Sequence, residues 1–405
     1  MGVHACPQLT PFYRLTTIQL SARLRGVISR LYPLALGNFA VGTGMFVTAG
    51  LVIPISRDLA ISPAAAGQLM TVFALAYAVL SPLLAALTAR MSRRWLLMLA
   101  LGVFVVGNTL TALAPTYPLV LATRVLAAAG AAMFTPTASA VANALAEPAR
   151  RGRALALVMG GLTVSSAIGV PLGTWLGASS WRATIWLVVG LGVIGFIGVL
   201  AAVPDLRLPS AGGLRDRFAP LGDPRVLSVL ATQLLMFAAA FTAYTYLGSL
   251  LDLPLPAVLW AWGIGGIVGN QVGGRFTDKY GPRVMVFTGL VGATVLMALI
   301  PVANLSLPIA LVWAFVWGSI GWMIAPAQQY RTVAAVPDNV PVGLGLLSSA
   351  QYVGLFVAGI TGGLALEWYG RAGVVVLSAG LGLVTVLFTL ATYRGSSSSV
   401  SVPVR

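Results

Sequence analysis

Few residues in this 405-residue chain can perform acid–base, metal or nucleophilic chemistry, and their positions narrow what it can be. The single cysteine, Cys6, and the single histidine, His4, both sit in the N-terminal tail. That placement leaves no disulfide, no Cys/His metal centre and no thiol or imidazole catalysis in the body of the chain. The nine carboxylates are Asp58, Glu147, Asp205, Asp216, Asp223, Asp252, Asp278, Asp338 and Glu367, and each falls in a hydrophilic connection or at the end of an apolar run. Carriers that move protons commonly use an Asp or Glu deep within a span as the relay. Here no carboxylate lies that deep, so an enzyme is not expected, and neither a metal nor an organic cofactor is called for.

What remains inside the apolar runs is one cation and a set of neutral polar groups. Arg124 lies about five residues, roughly 8 Å, into its run, where a cation costs about 1 to 3 kcal/mol unless paired or hydrated. Two readings stand: it binds an anionic group or tunes a proton site, or its long side chain snorkels to the nearby membrane edge. Asn38, Tyr77, Asn108, Gln233, Tyr244, Asn270, Gln328 and Gln351 are the remaining substrate-cavity candidates, although helix-to-helix hydrogen bonding accounts equally well for any one of them. Trp181 and Trp368 read as interface belts, whereas Trp262 and Trp317 lie deeper. A cavity with such a lining suits a neutral amphipathic molecule better than an organic cation.

The elements that must position these residues follow from composition. Hydrophobic residues make up 58% of the chain and charged residues 8%, against roughly a quarter charged in soluble domains. Mean hydropathy is +0.93. Lipid is the solvent that fits this composition, and the expected fold class is an all-α integral membrane protein. Runs long enough to cross a bilayer fall near 31–55, 64–88, 95–114, 119–144, 154–177 and 183–203, then near 227–250, 256–274, 284–302, 309–330, 343–366 and 372–393. Twelve spans therefore form an N-terminal six-helix bundle (31–203) and a C-terminal one (227–393). Between them lies a central loop (204–226), and tails 1–30 and 394–405 flank them.

The net charge of +15 raises the question of nucleic acid, but the cations sit in short connections. Twenty Lys and Arg fall in one alternating set of loops and tails, and only Arg57, Arg182 and Arg371 in the other. That asymmetry is topogenic, and it places both termini and the central loop in the cytoplasm of a cell membrane protein, with no nucleic-acid partner. The basic stretch before the first span looks like a signal-peptide leader, yet the run that follows is too long and opens a series of spans, so an uncleaved first helix is expected.

Two patterns recur along the chain. The segment Gly274-Arg275-Phe276-Thr277-Asp278-Lys279-Tyr280-Gly281-Pro282-Arg283 gathers one carboxylate, several cations and a turn glycine at a membrane edge. It could form a charge latch that makes and breaks between conformations, or serve only as a basic loop with a tight turn. Arg90, Arg93 and Arg94 occupy the matching place after the second span, at an offset of 189. The fifth span carries Gly161, Ser165, Gly169, Gly173 and Gly177 four apart with Pro171 among them, and the eighth carries Gly265, Gly269 and Gly273. Small residues on one face admit a close neighbour. Gly173 with Gly363, and Arg182 with Arg371, repeat at an offset near 190, as a duplicated unit would.

The loop from Gly274 to Arg283 resembles the G-x-x-x-D-R/K-x-G-R/K signature of the major facilitator superfamily, a likeness that extends over residues 31 to 393. In the first-half copy, Ala85, Ala89 and Ser92 replace the glycine, aspartate and turn glycine. The run Gly169-Val170-Pro171-Leu172-Gly173-Thr174-Trp175-Leu176-Gly177 with Trp181-Arg182 is similar to the fifth-span motif of twelve-span drug:proton antiporters, especially their sugar- and amphenicol-efflux branch. Arg124-Val125-Leu126-Ala127-Ala128-Ala129-Gly130 resembles their fourth-span arginine motif. The resemblance implies a functionally monomeric secondary transporter that exports small, mostly neutral organic compounds, drug or sugar-like, by rocking of two halves, with the fifth and eighth spans meeting across them. Relatives often place a carboxylate in the first span, where this chain has Met45. Proton coupling then uses a residue nearer a span end, or the protein is an uncoupled or inward-directed metabolite facilitator. A membrane sensor that transports nothing is the remaining alternative.

Overall fold

The computed structural model describes residues 29–147, 151–207 and 214–396, so nearly all of both expected tails lies outside the described residues. Within them the chain is helical with no strand. The first span is a broken pair, α1 (Ser29–Phe46) and α2 (Thr48–Asp58), bent by 48°. Then follow α3 (Pro63–Leu87), α4 (Arg93–Leu113), α5 (Tyr117–Leu145), a fifth span made of α6 (Arg151–Val164) and α7 (Val170–Gly177), and α8 (Trp181–Ala202). A short α9 (Leu214–Phe218) lies in the central connection. The second half begins with α10 (Pro224–Thr245) and α11 (Leu247–Leu250), again a broken first span, then α12 (Leu255–Tyr280), α13 (Pro282–Ala298) with α14 (Ile300–Ala303), and α15 (Leu307–Ala335). The last helix, α16 (Val340–Ser396), contains two spans divided at Gly370, whose φ of 64° and ψ of −156° break the helix.

Local chemistry sets several of these ends. Ser62 caps α3 by accepting from the Ala65 N–H, with Pro63 at the first helical position, where a missing N–H costs nothing. Asp223 caps α10 by accepting from the Arg225 N–H at 2.7 Å. The basic segment after the eighth span is helical through Tyr280, rather than a loop from Gly274. The turn is confined to Gly281, whose φ of +83° suits a residue without a Cβ, and Pro282 starts the next helix.

The helices pack as two six-helix bundles. In the first, α4 lies between α5 and α8, and α3 lies against α5; in the second, α10 packs on α16 and α12 on α15. The bundles meet where α3 lies along α16, where α12 crosses the fifth span, and where α10 and α11 touch α2. Large apolar side chains such as Val79, Trp175, Ile194, Ile197 and Leu387 are exposed on the outside, as a lipid-facing surface requires.

The small-residue stripes pack inside each half. A Cβ on Gly161 would strike the Ala35 carbonyl, one on Gly169 the Thr43 side chain, and one on Gly177 Leu51, so the fifth-span stripe seats the first span. Ser165 lies in the same groove, close against Gly42. Gly265, Gly269 and Gly273 meet the backbone of Phe315, Ser319 and Met323 on α15. The fifth and eighth spans do meet across the halves, but through Gly263, whose missing Cβ admits the backbone of Ser166 and Ala167. Those two residues belong to a π-helical turn, Ser165–Gly169. Pro171 has no N–H to give the Ala167 carbonyl, which favours such a widened turn just before it.

Candidate functional site

Where the halves meet, aromatic rings form a continuous run from one half into the other. Phe46 of α1 lies 5.9 Å, centroid to centroid, from Phe241 of α10. Phe241 contacts Phe237 at 5.3 Å and Tyr244 at 5.1 Å. Tyr244 in turn contacts Trp262 at 4.6 Å, which meets Trp317 and Trp322 edge-on. The Tyr244 hydroxyl is buried with no hydrogen-bond partner, an unusual state for a polar atom. A second cross-half contact stacks Tyr77 of α3 on Tyr352 of α16, with centroids 3.6 Å apart and planes 15° from parallel. Stacked pairs of this kind contribute about 0.5–1.5 kcal/mol beyond their area.

Three of the candidate amides cluster in the second half. Gln328 Nε2 donates to Gln233 Oε1 at 3.3 Å, Gln233 Nε2 to Gln351 Oε1 at 3.5 Å, and Arg331 Nη1 to Gln328 Oε1 at 2.8 Å. The other amides are dispersed. Asn38 donates to the Val158 carbonyl and accepts from Thr135, joining the first, fourth and fifth spans, so both its functions are spent on packing. Asn108 donates to the Phe104 carbonyl one turn back, and its Oδ1 is buried without a partner. Asn270 is half-buried on α12 with no side-chain hydrogen bond among the described residues.

Arg124 does not reach the membrane edge. It is buried at 1% exposure, donates from Nη2 to the Gly44 carbonyl at 3.0 Å and to Thr48 Oγ1 at 3.3 Å, and lies 4.6 Å from the centre of the Phe73 ring. Gly44 lies just before the break between α1 and α2. Trp181 departs from the belt reading as well: it is 2% exposed and donates from Nε1 to Asp58 at 2.9 Å.

At the edge poor in cations, both halves carry the same clasp. Arg182 pairs with Asp58 at the end of the first span and donates to the Ala114 carbonyl at the end of the third. Arg371 pairs with Asp252 through two bonds of 2.5 and 2.7 Å, and Asn304 at the end of the ninth span bonds Asp252 in both directions. Arg371 and Asn304 together hold the exposed Asp252 carboxyl down at about 2. Ala114 and Asn304 are 190 residues apart and the two arginines 189 apart, so the repeat is written in contacts as well as in sequence.

The sequence profile described as "Major Facilitator Superfamily" matches residues 34–340. The chain belongs to the major facilitator superfamily. It is 32% identical over 363 residues to the MFS-type transporter YbcL of Bacillus subtilis, covering 86% of this chain and 93% of that one. Over 360 residues it is 32% identical to the inner membrane transport protein YdhP of Escherichia coli K12, at 87% and 90% coverage. It is 35% identical over 323 residues to a chloramphenicol resistance protein of Streptomyces lividans, at 75% and 80%. Among solved structures, the nucleoside transporter NupG matches with a TM-score of 0.73 at 15% identity, over 90% of this chain and 99% of that one. At such identity the match is one of fold. This superfamily member is thus a multi-pass membrane transporter with two pseudo-symmetric six-helix halves.

The superfamily signature occupies the basic edge. Asp278 and Lys279 are exposed on the last turn of α12, and Asp278 makes no ion pair and caps no helix among the described residues. Lys279 instead lies over the Tyr280 ring, and Arg283 and Arg331 both approach the Tyr393 ring. In the first-half copy Arg94 donates to the Leu200 carbonyl and the Arg93 backbone to Leu206, while Arg90 is exposed. Sequence reasoning did not single out Tyr246 or Gln68. Tyr246 donates to the Gly359 carbonyl at 2.8 Å, and Gln68 reaches the same carbonyl across the halves at 3.1 Å. The glycines at 67, 359 and 363 were the available signal, because each leaves room for one of these side chains or for Thr71.

Proposed function

We propose that this transporter exports small, mostly neutral, amphipathic organic compounds, drug or sugar-like, by alternating access between its two halves. The observation that carries the reading is the aromatic run Phe46, Phe241, Tyr244, Trp262 and Trp317. It runs from one half into the other, is buried in this conformation with the lone Tyr244 hydroxyl among its rings, and contains no carboxylate to select a cation. The likeness to a chloramphenicol resistance protein supports amphenicol-like compounds as the first substrates to test. Cation placement supports cytoplasmic termini. With that orientation, the tight Gln68–Tyr246–Gly359 contact and the unpaired Asp278 correspond to a protein closed to the outside with its cytoplasmic latch undone.

The test is accumulation of labelled amphenicols and of a panel of neutral drugs in efflux-deficient cells, with and without the protein. Lower accumulation with the wild type, and its loss in Trp262→Ala, is expected; unchanged accumulation across the panel removes the export reading. A second reading, an uncoupled facilitator, is favoured by the absence of Asp and Glu from the interior of the described spans. Flux into proteoliposomes with and without an imposed pH gradient separates the two, since only a proton antiporter loses concentrative uptake when the gradient is collapsed.

A further inference from the structure

Arg124 is a full positive charge buried within the first half with no counter-charge among the described residues. Its guanidinium spends Nη2 on Gly44 and Thr48, whereas Nε and Nη1 are buried and have no partner. Asp58, at the end of the first span, is committed to Trp181 and Arg182. Buried cations of this kind are stable only when paired or multiply hydrogen-bonded.

Beside the guanidinium is a cavity of about 10 Å³, bounded by Thr48, Thr111, Arg124, apolar side chains that include Leu69, Val120 and Ile185, and Trp181, whose indole N–H is spent on Asp58. That volume accepts a single water-sized occupant and no polyatomic anion. The hydroxyls are unequal. Thr111 Oγ1 lies 2.8 Å from the Gly107 carbonyl and 2.9 Å from Thr123 Oγ1, which commits its proton. Thr48 Oγ1 accepts from Arg124 and so keeps its own proton to give. The site therefore offers three donors, two of them on a cation, and no Asp or Glu lines it.

We propose that this cavity binds one monatomic anion of the halide class, chloride in the first instance, as the counter-ion of Arg124. A water there would accept from one or two N–H groups but leave the charge uncompensated; a halide does both. The anion would fix Arg124 against the break between α1 and α2, and so hold the first span in its bent form. The inference goes beyond the transport reading and is measured by binding alone.

The experiment is thermal unfolding of the detergent-purified full-length protein as chloride replaces gluconate at constant ionic strength, with a parallel bromide series and an anomalous-scattering map from crystals grown in bromide. A saturable rise in melting temperature with either halide is expected, together with a bromide peak beside Arg124. Thr48→Val should need several-fold more chloride for half the effect, and Arg124→Leu should lose the halide response. Equal melting temperatures in chloride and gluconate, a halide response that persists in Arg124→Leu, or no bromide peak at the site would each overturn the proposal. Should Arg124→Leu fail to fold, the Thr48→Val titration and the bromide map decide alone.

Discussion

At the scale of single residues, position relative to the membrane decides what each ionisable group does. Asp252 and Arg371 are both exposed, and an exposed ion pair contributes little to stability. The value of their contact is geometric: it ties the seventh, ninth and twelfth spans at one point. Because the Asp252 pKa is lowered from 3.8 to about 2, its contribution is present above 3.8 and is lost as pH falls toward 2. The melting temperature of Asp252→Asn should therefore lie slightly below wild type at neutral pH, and the gap should close over that window in pH-stepped unfolding. Asp278 is the opposite case, a carboxylate without a partner in this conformation. If it latches the other one, Asp278→Asn should reduce flux several-fold while leaving membrane insertion intact, and wild-type flux in that variant would remove the latch.

At the scale of elements, glycine decides how close helices come, and therefore which helices are rigidly joined. Gly173 faces Val47 and Thr184, which would lie 2.6 and 2.8 Å from an added Cβ. Gly173→Leu should therefore separate the first and sixth spans from the fifth, at about 1–3 kcal/mol of overpacking cost. A lower melting temperature together with reduced flux is the expected reading. Gly359 is different because the atom its Cβ would overlap, Thr71 Oγ1, belongs to the other half. Gly359→Leu should keep each half folded but prevent closure at the cation-poor edge. Spin labels on either side of that edge should then report longer distances than in the wild type, and unchanged distances would show that the glycine is not what permits closure.

At the scale of the whole molecule, two bundles meet along α3 and α16, through aromatic contacts such as Tyr77 on Tyr352, and at glycine-permitted approaches, an arrangement suited to rocking. The broken first spans, α1 with α2 and α10 with α11, bend at matching places in both halves, and each meets the other half near its break. The orientation of this assembly rests on charge. A green fluorescent protein fused after the last helix should fluoresce, and alkaline phosphatase inserted beside Asp252 should be active, whereas the reverse pair of results would invert the topology.

Much of this was legible in the sequence. Span number, repeat offset and charge asymmetry follow from one-dimensional spacing, because a bilayer demands runs of about 20 apolar residues and sorts Lys and Arg by loop; the superfamily came instead from the likeness of the segment Gly274 to Arg283 to a known signature. Gly281 and Pro282 mark their turn by residue type alone. What spacing could not convey is direction around each helix and partnership between distant helices. The fifth-span stripe was visible, yet that it seats the first span while Gly263 makes the cross-half contact depends on how each helix is rotated. Arg124 could be placed within a span, but whether it snorkels or turns inward to the Gly44 carbonyl is decided by where α1 breaks. Asp58 and Asp252 looked like ordinary loop charges, and became clasps only when Arg182 and Arg371, more than a hundred residues away, folded beside them. The solvent is specified by composition and can be read along the chain; partners depend on the packing of all twelve spans and exist only in the tertiary structure.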